Sequence, residues 1–177
     1  MDIIKVKDKE FSKFIYSDTI LDAVSKVADQ INQDYADKNP LFLVVLNGAF
    51  MFASDLMKKI NIECEISFVK LSSYSGTNST ETVKNLIGIN EELKNRSVIL
   101  VEDIVDTGIT IEHMIEELKK FEPLDVKIAT LLLKPEKYNK AHKIDYVAIE
   151  IPNDFIVGYG LDYDGFARNL PDIYKIV

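Results

Sequence analysis

Residues 98–110 read VILVEDIVDTGIT, four apolar residues followed by a run of acids and small residues. Residues 98–101 show no alternation of polar and apolar positions, which predicts a strand buried on both faces, as in a parallel sheet covered by helices. Beyond Gly108, apolar residues at steps of three and four predict an amphipathic helix that ends before Pro123: Ile111, Met114, Ile115 and Leu118. The pattern therefore predicts a strand, a loop and a helix in that order.

The loop between this strand and this helix has the composition of a phosphate-binding site. In open α/β sheets, ligands bind beyond the carboxyl ends of the strands, where the next helix directs unpaired N–H groups at them. Thr107 and Thr110 add hydroxyl donors, and Gly108 permits close approach of the backbone. Buried carboxylates need partners, so Glu102 and Asp103 are expected at the open end of the strand, near a sugar diol or a hydrated divalent cation. A plain turn with an N-capping Asp or Thr fits the same pattern.

Strands and helices alternate on both sides of this unit. Further strands are predicted at residues 41–46, 64–71, 82–88, 126–133 and 144–151. A helix is predicted from Ser17 as N-cap to near Pro40, with an inward face of Ile20, Leu21, Val24, Val27, Ala28, Ile31 and Tyr35. A second helix follows residues 41–46, with an inward face of Phe50, Ala53, Leu56, Met57 and Ile60. Residues 2–16 lack a clear period, and only Ile3, Ile4 and Val6 indicate a short strand.

The composition of the chain disfavours several classes of protein. With 177 residues, of which 47% are hydrophobic and 28% charged, the chain fits one soluble globular domain. A cytoplasmic protein is expected, because no apolar run approaches the roughly 20 residues of a membrane span and the first ten residues lack the core of a signal peptide. Cys64 is the only cysteine, and with His113 and His142 it gives no zinc-ligand spacing. The net charge of −8 disfavours nucleic-acid binding.

Four other segments each allow a functional and a plain interpretation. Asn47 and Gly48 follow the strand at 41–46, and Asn-Gly is also a common turn. Residues 72–81 are nearly all small and polar, which predicts a mobile lid or an ordinary hairpin loop. The plain interpretation of Lys134 is a solvated lysine before a proline. The plain interpretation of the aromatic residues at 150–170, taken by themselves, is that they belong to the core or to an interface.

The string VEDIVDTGIT, residues 101–110, closely resembles the phosphoribosyl diphosphate binding loop of the type I phosphoribosyltransferases. Its Glu-Asp pair followed by Asp-Thr-Gly looks like the hypoxanthine-guanine branch, and the resemblance extends over about residues 41–170 with four motifs in the right order. It implies one α/β domain, residues 1–177, with a Rossmann-like parallel sheet of about five strands flanked by helices. The core would span about residues 17–150, and residues 1–16 and 151–177 would form a small hood.

The resemblance also implies where phosphoribosyl diphosphate binds. Glu102 and Asp103 would hold the ribose hydroxyls. The phosphate groups would be bound by Asn47, Gly48, Thr107, Gly108, Ile109, Thr110 and Arg168. Asn47 and Ile109 stand where the family often has basic or polar residues, which leaves their backbone N–H groups as the expected donors. The implied cofactor is Mg²⁺, near Glu102, Asp103 and Asp162.

The resemblance also implies which residues bind the purine. Asp106 would be the general acid/base near N7 of the base, and Lys134 would donate to its exocyclic oxygen. Phe155 would stack on the base, Ile156 would contact its edge through the backbone, and Asp162 would lie near both base and metal. Ser73 and Tyr74 match the pair that closes a catalytic lid in this family.

The expected reaction is purine salvage from phosphoribosyl diphosphate and hypoxanthine or guanine, with xanthine as a further candidate base. A dimer or tetramer is expected, without a nucleic-acid or membrane partner. Two other hypotheses remain at this point: a nucleotide-sensing regulator that kept the fold without turnover, and a receiver-like signalling domain, which also gathers acids at strand ends. The receiver-like domain lacks the Asp-Thr-Gly-x-Thr string.

Overall fold

A computed structural model describes residues 3–74, 82–89 and 91–177 of the chain. In chain order the elements are β1 (Ile3–Val6), β2 (Lys9–Ile15), α1 (Ser17–Asp34), β3 (Leu41–Leu46), α2 (Phe50–Met57), β4 (Glu65–Tyr74), β5 (Thr82–Ile87), β6 (Ser97–Val105), α3 (Ile109–Lys119), β7 (Asp125–Leu133), β8 (Tyr146–Glu150), β9 (Ile156–Val157) and β10 (Ile173–Ile176). The ten strands form a six-stranded sheet and a four-stranded sheet in the described part of the chain.

The larger sheet has the strand order β5-β4-β3-β6-β7-β8. Five of these strands are parallel, and β5 pairs with β4 in the antiparallel direction. Helices cover both faces: α1 and α2 pack on one, and α3 packs on the other. The predicted α/β fold with about five parallel strands is confirmed, and residues 98–101 are fully buried within β6.

Alternate residues of the central strands supply the two halves of the core. Phe42 and Val44 of β3 pack with α1 and α2, whereas Leu41 and Leu43 pack on the side of α3. All four residues predicted for the inward face of α3 are buried. Strands that are apolar on both faces have this composition because each face is covered.

The ends and faces of the first two helices differ from the prediction in part. Helix α1 ends at Asp34, before Pro40, and Leu21 lies on its exposed side. Ser17 is the first helical residue, and its backbone N–H donates to Asp172 Oδ1 at 2.7 Å, so the end of the helix is satisfied from the far end of the chain. In α2, Phe50 is exposed, because the buried face of this helix consists of Phe52, Ala53 and Leu56.

Two strands are longer than predicted. Strand β6 continues through Glu102 and Asp103 to Val105, and Glu102 lies opposite Thr130 of β7. The acids therefore lie at the open end of the strand, as expected, but the strand pairs with β7 through them, since backbone pairing does not depend on the side chains. Strand β4 includes residues 72–74, which were predicted as loop, and the remainder of the predicted lid, residues 75–81, lies outside the described residues.

The smaller sheet is antiparallel and has the order β1-β2-β10-β9. It joins the two ends of the chain, and of its strands the sequence indicated only β1. Tyr159, beyond β9, donates to Asp55 Oδ2 of α2 at 2.6 Å and so ties this sheet to the larger one. In the described part of the chain, no helix is long and apolar enough to cross a membrane.

Candidate active site

A cavity of about 410 Å³ opens at the carboxyl ends of β3 and β6. Its walls include these residues singled out in the sequence: Gly48, Glu102, Asp103, Asp106, Thr107, Gly108, Ile109, Thr110, Asp162 and Arg168. A second cavity of about 290 Å³ adjoins it and is lined by Asp103, Ile104, Asp106, Lys134, Phe155, Ile156, Leu161 and Asp162. The structure thus brings together residues that are more than 100 positions apart in the chain, and Asp103, Asp106 and Asp162 line both cavities.

The loop from Asp106 to Gly108 ends at the N-terminus of α3. Gly108 is the N-cap, with φ of +81°, and among the described residues no side chain caps this helix. The interpretation of the pattern as a turn with an N-capping Asp or Thr is therefore wrong. A Cβ at Gly108 would lie 2.5 Å from Cε2 of Tyr138, so both the backbone angle and the space require glycine. The N–H groups of the first helical turn are left to bind an anion at the first cavity.

Gly48 is held in a space that admits no side chain. A Cβ there would lie 1.5 Å from Asp103 Oδ2, and a Cβ at Gly160 would lie 2.1 Å from the Gly48 carbonyl oxygen. The peptide between Leu46 and Asn47 is cis. Asn47 is exposed and is not among the residues that line the first cavity. The Asn-Gly pair is therefore part of a tightly packed loop between β3 and α2, and its backbone approaches the acids of β6.

Glu102 and Asp103 are carboxylates in an unfavourable environment. Burial, and then the charge of Asp103, hold the pKa of Glu102 well above its usual range, and its Oε1 has no hydrogen-bond partner among the described residues. Burial also raises the pKa of Asp103 to about 6, against a hydrogen bond from the Ile104 N–H at 2.7 Å and the charge of Arg168. A buried polar atom without a partner costs free energy, so this pair is suited to a ligand that brings hydrogen bonds or positive charge.

Two lysines contact Asp106. Lys134 Nζ lies 3.0 Å from Oδ2, and Lys137 Nζ lies 3.3 Å from Oδ1 and donates to Oδ2 at 3.5 Å. Burial raises the pKa of Asp106, but the hydrogen bonds and charges of both lysines outweigh it, and the net pKa lies below its ordinary value. Asp106 is therefore an ionised hydrogen-bond acceptor near neutral pH, at the boundary of the two cavities.

The C-terminal segment closes the site. Arg168 Nη2 lies 2.6 Å from Asp162 Oδ1, and Nη1 donates to the Gly160 carbonyl oxygen at 2.7 Å. Phe155 is 46% exposed and lines the second cavity, and its ring is perpendicular to that of Tyr163 at a centroid distance of 5.8 Å. Ile156 is buried in β9. Ser73 and Tyr74 end strand β4, and the segment after them lies outside the described residues.

The described residues contain no group of three or more His, Cys, Asp or Glu side chains that could by themselves hold a metal ion. The acids near the first cavity, Glu102, Asp103 and Asp162, nevertheless offer oxygen ligands, which Mg²⁺ prefers. Because Mg²⁺ usually keeps several waters and shares substrate phosphates, one or two carboxylates are sufficient for it.

A family model described as "Phosphoribosyl transferase domain" matches residues 15–164, which is well over half of the chain. The chain belongs to the phosphoribosyltransferase family. A hypoxanthine-guanine phosphoribosyltransferase of Streptococcus pyogenes is 42% identical over 166 residues, which cover 93% of this chain and 92% of the relative. A second, from Streptococcus pneumoniae, is 40% identical over 94% of this chain and 93% of the relative.

Solved structures that resemble this chain belong to the same family. A hypoxanthine-guanine phosphoribosyltransferase from Bacillus anthracis superposes with a TM-score of 0.88 at 36% identity, covering 94% of this chain and 98% of that one. A hypoxanthine phosphoribosyltransferase from Trypanosoma cruzi in complex with the product IMP has a TM-score of 0.88 at 31% identity, covering 98% and 97%. These relatives are named as transferases, and they do not favour the hypothesis of a regulator without turnover.

Sequence reasoning missed Lys137 in this phosphoribosyltransferase. The signal that could have found it is the spacing in Lys134-Pro135-Glu136-Lys137, since a proline turn brings residues three apart to the same side. In the structure, the Lys137 N–H donates to the Lys134 carbonyl oxygen at 3.1 Å and closes this turn.

Proposed function

We propose that residues 1–177 form one domain that transfers the 5-phosphoribosyl group from phosphoribosyl diphosphate to hypoxanthine or guanine. The products are the purine nucleoside monophosphate, IMP or GMP, and diphosphate, which places the reaction in purine salvage. The observation that carries this proposal is the pair of adjoining cavities with a shared wall of Asp103, Ile104, Asp106 and Asp162. One cavity has donors and acids for a phosphorylated sugar, and the other has a lysine and an aromatic ring for a base.

Phosphoribosyl diphosphate occupies the larger cavity in this proposal. The N–H groups at the start of α3, with Thr107 and Thr110, bind the 5-phosphate, because a helix N-terminus attracts an anion. Glu102 and Asp103 face the ribose hydroxyls, which supply the hydrogen-bond partner that Glu102 Oε1 lacks. Arg168 and the backbone of Asn47 and Gly48 bind the diphosphate.

We propose Mg²⁺ as the cofactor, held near Glu102, Asp103 and Asp162. The unpartnered Oε1 of Glu102 and the all-oxygen set of ligands fit this ion. When bound, Mg²⁺ neutralises charge on the departing diphosphate. Activity is expected to require added Mg²⁺ after treatment with a chelator.

The purine occupies the smaller cavity. Phe155 stacks on the ring, Ile156 contacts the base edge through its backbone, and Lys134 donates to the oxygen at C6. Asp106, ionised and next to this cavity, accepts a proton from the purine as its N9 bonds to the ribose carbon. The carbon gains positive character as diphosphate leaves, and the surrounding carboxylates stabilise that charge. Ser73 and Tyr74, which precede the segment outside the described residues, are proposed to close over the reacting atoms.

A coupled assay with four bases tests the proposed function. With Mg²⁺ and phosphoribosyl diphosphate present, hypoxanthine and guanine are expected to give nucleotide and adenine is not. The rate with xanthine is compared with the rates for hypoxanthine and guanine. Liquid chromatography of the products identifies the nucleotide. Failure to form nucleotide from any of the bases would overturn the proposal. A nucleotide-sensing regulator without turnover would then be the better hypothesis.

We also propose that the active form is a homo-oligomer, as the family resemblance implies. Light scattering coupled to gel filtration measures this directly. A mass two or four times that of the 20.1 kDa chain is expected, and the mass of one chain at working concentration would contradict it.

A further inference from the structure

Lys137 is a second cation in contact with the Asp106 carboxylate, in addition to Lys134. Lys134 Nζ donates to Oδ2 at 3.0 Å, and Lys137 Nζ donates to the same oxygen at 3.5 Å. Lys137 Nζ also lies 3.3 Å from Oδ1, which has no hydrogen-bond partner among the described residues. One cation would be sufficient to keep an aspartate ionised near neutral pH. The second lysine calls for a separate explanation.

The two lysines differ in their access to the base. Lys134 lines the smaller cavity and only 9% of its side chain is exposed, whereas Lys137 is 39% exposed and is not among the described residues that line either cavity. A base with an oxygen acceptor can therefore draw Lys134 away from Asp106, but it leaves Lys137 where it is.

The backbone around Lys137 is well held. The N–H groups of Lys137 and Tyr138 both donate to the Lys134 carbonyl oxygen at 3.1 Å, and the Tyr138 hydroxyl donates to the carbonyl oxygen of His142. The Tyr138 ring also packs beside Gly108 at the start of α3. The turn thus fixes where the lysine side chain begins relative to Asp106.

We propose that Lys137 is a positioning residue for Asp106: it shares the carboxylate with Lys134 in the free protein and holds it alone once Lys134 has turned to the purine. This inference rests on the proposed function, because it requires a base that recruits Lys134. It assigns the two lysines separate tasks, Lys134 for the base and Lys137 for the general acid/base.

The charges around the cavity explain why a second cation is needed. The acids Asp103 and Asp162 line the same cavity as Asp106, and Arg168 is already paired with Asp162 at 2.6 Å. Without Lys137, the carboxylate in the purine complex would have acids near it and no cation in contact. The pKa of Asp106 would then rise, so that a larger fraction of it would be protonated at acidic pH, and a protonated Asp106 cannot accept a proton from the base.

The pH dependence of the chemical step tests this assignment. We would measure the single-turnover rate of IMP formation at saturating substrates, and kcat/KM for hypoxanthine, in the parent, Lys137→Gln, Lys137→Met and Lys137→Arg. The first quantity reports on the purine complex, and kcat/KM reports on the free protein. In the Gln and Met variants, the acidic limb of the single-turnover rate is expected to move up by roughly one pH unit or more. The acidic limb of kcat/KM moves less, because Lys134 still holds Asp106 there.

Two variants serve as controls. Lys137→Arg keeps the cation and is expected to keep the parent profile. Lys143→Gln removes one positive charge from the same connection between β7 and β8, but Lys143 lines a separate cavity at the other end of β7, and both limbs are expected to stay in place.

Two results would overturn the inference. A uniform loss of rate at every pH, with the limbs unmoved, would make Lys137 a structural residue only. Equal shifts in both profiles would show that Lys134 does not leave Asp106 when the purine binds. A parent without transferase activity would reject the proposed function and this inference together, whereas an active parent with unmoved limbs in the variants would reject the inference alone.

Discussion

Asp106 accepts contacts from two lysines, and replacing its carboxylate by an amide is the simplest test of its role. Asp106→Asn keeps the shape and still offers an oxygen to Lys134, but it cannot accept a proton. Because general acid/base assistance is worth about 10²–10⁴ in rate, kcat for hypoxanthine is expected to fall within that range. Steady-state kinetics measures this change, with circular dichroism and KM for phosphoribosyl diphosphate as checks on the fold and on the other substrate. A kcat within a few fold of the parent would remove Asp106 from the role of base.

Lys134 decides which purines are accepted in the proposed site. Its ammonium group can only donate, and adenine presents an amino group at C6, so donor would face donor in a cavity where Lys134 is largely buried. A buried donor without a partner costs about 1–3 kcal/mol, which corresponds to roughly 10–100-fold in kcat/KM.

Lys134→Gln is expected to narrow this preference for hypoxanthine over adenine. A glutamine amide can present either a donor or an acceptor to the base. The ratio of the two kcat/KM values is the readout, and Lys143→Gln is the matched control, since Lys143 lines a separate cavity. Efficient use of adenine by the parent would show that Lys134 does not select the base.

At the scale of elements, Asp172 connects three pieces of the fold. Asp172 lies immediately before β10. Its Oδ1 accepts a hydrogen bond from the Ser17 N–H at the start of α1, and its Oδ2 lies 2.9 Å from Lys13 Nζ of β2. The hydrogen bond from Lys13 holds the pKa of Asp172 below its ordinary value, against a smaller effect of burial. A carboxylate with a lowered pKa in the folded state stabilises that state above its unfolded pKa, about 3.9, and this contribution disappears as the pH falls through the folded pKa.

Asp172→Asn is therefore expected to lower the free energy of unfolding by about 1.5–3 kcal/mol near neutral pH, as for loss of a hydrogen bond to a charged group. The difference from the parent should shrink as the pH falls below about 4. Urea denaturation at several pH values measures it. Asp164→Asn is the matched control, because Asp164 forms an exposed ion pair with Lys7 and such pairs contribute little. A difference that is constant with pH would show that the charge of Asp172 does not matter.

Across the whole molecule, the parts that the sequence predicted well are those with a strong local pattern. Strand β3 has the predicted bounds, and the inward face of α3 is as predicted, because both depend on which neighbouring residues are apolar. The bounds of β4 and β6 were too short, because pairing with an adjacent strand extends a strand into polar residues. Strands β2 and β10 have weak patterns of their own and are stabilised by pairing between the two ends of the chain.

The candidate site also has parts that the local sequence determines and parts that depend on packing. Residues 101–110 by themselves determine an acidic strand end and a small-residue loop before a helix, since these depend on residues next to one another in the chain. Only the tertiary structure decided that Lys137 contacts Asp106 and that Gly48 lies against Asp103. These two contacts join residues 31 and 55 positions apart in the chain, and they form because of how the strands and the connecting turns pack. A local pattern fixes which chemical groups are available, whereas packing fixes which of them meet.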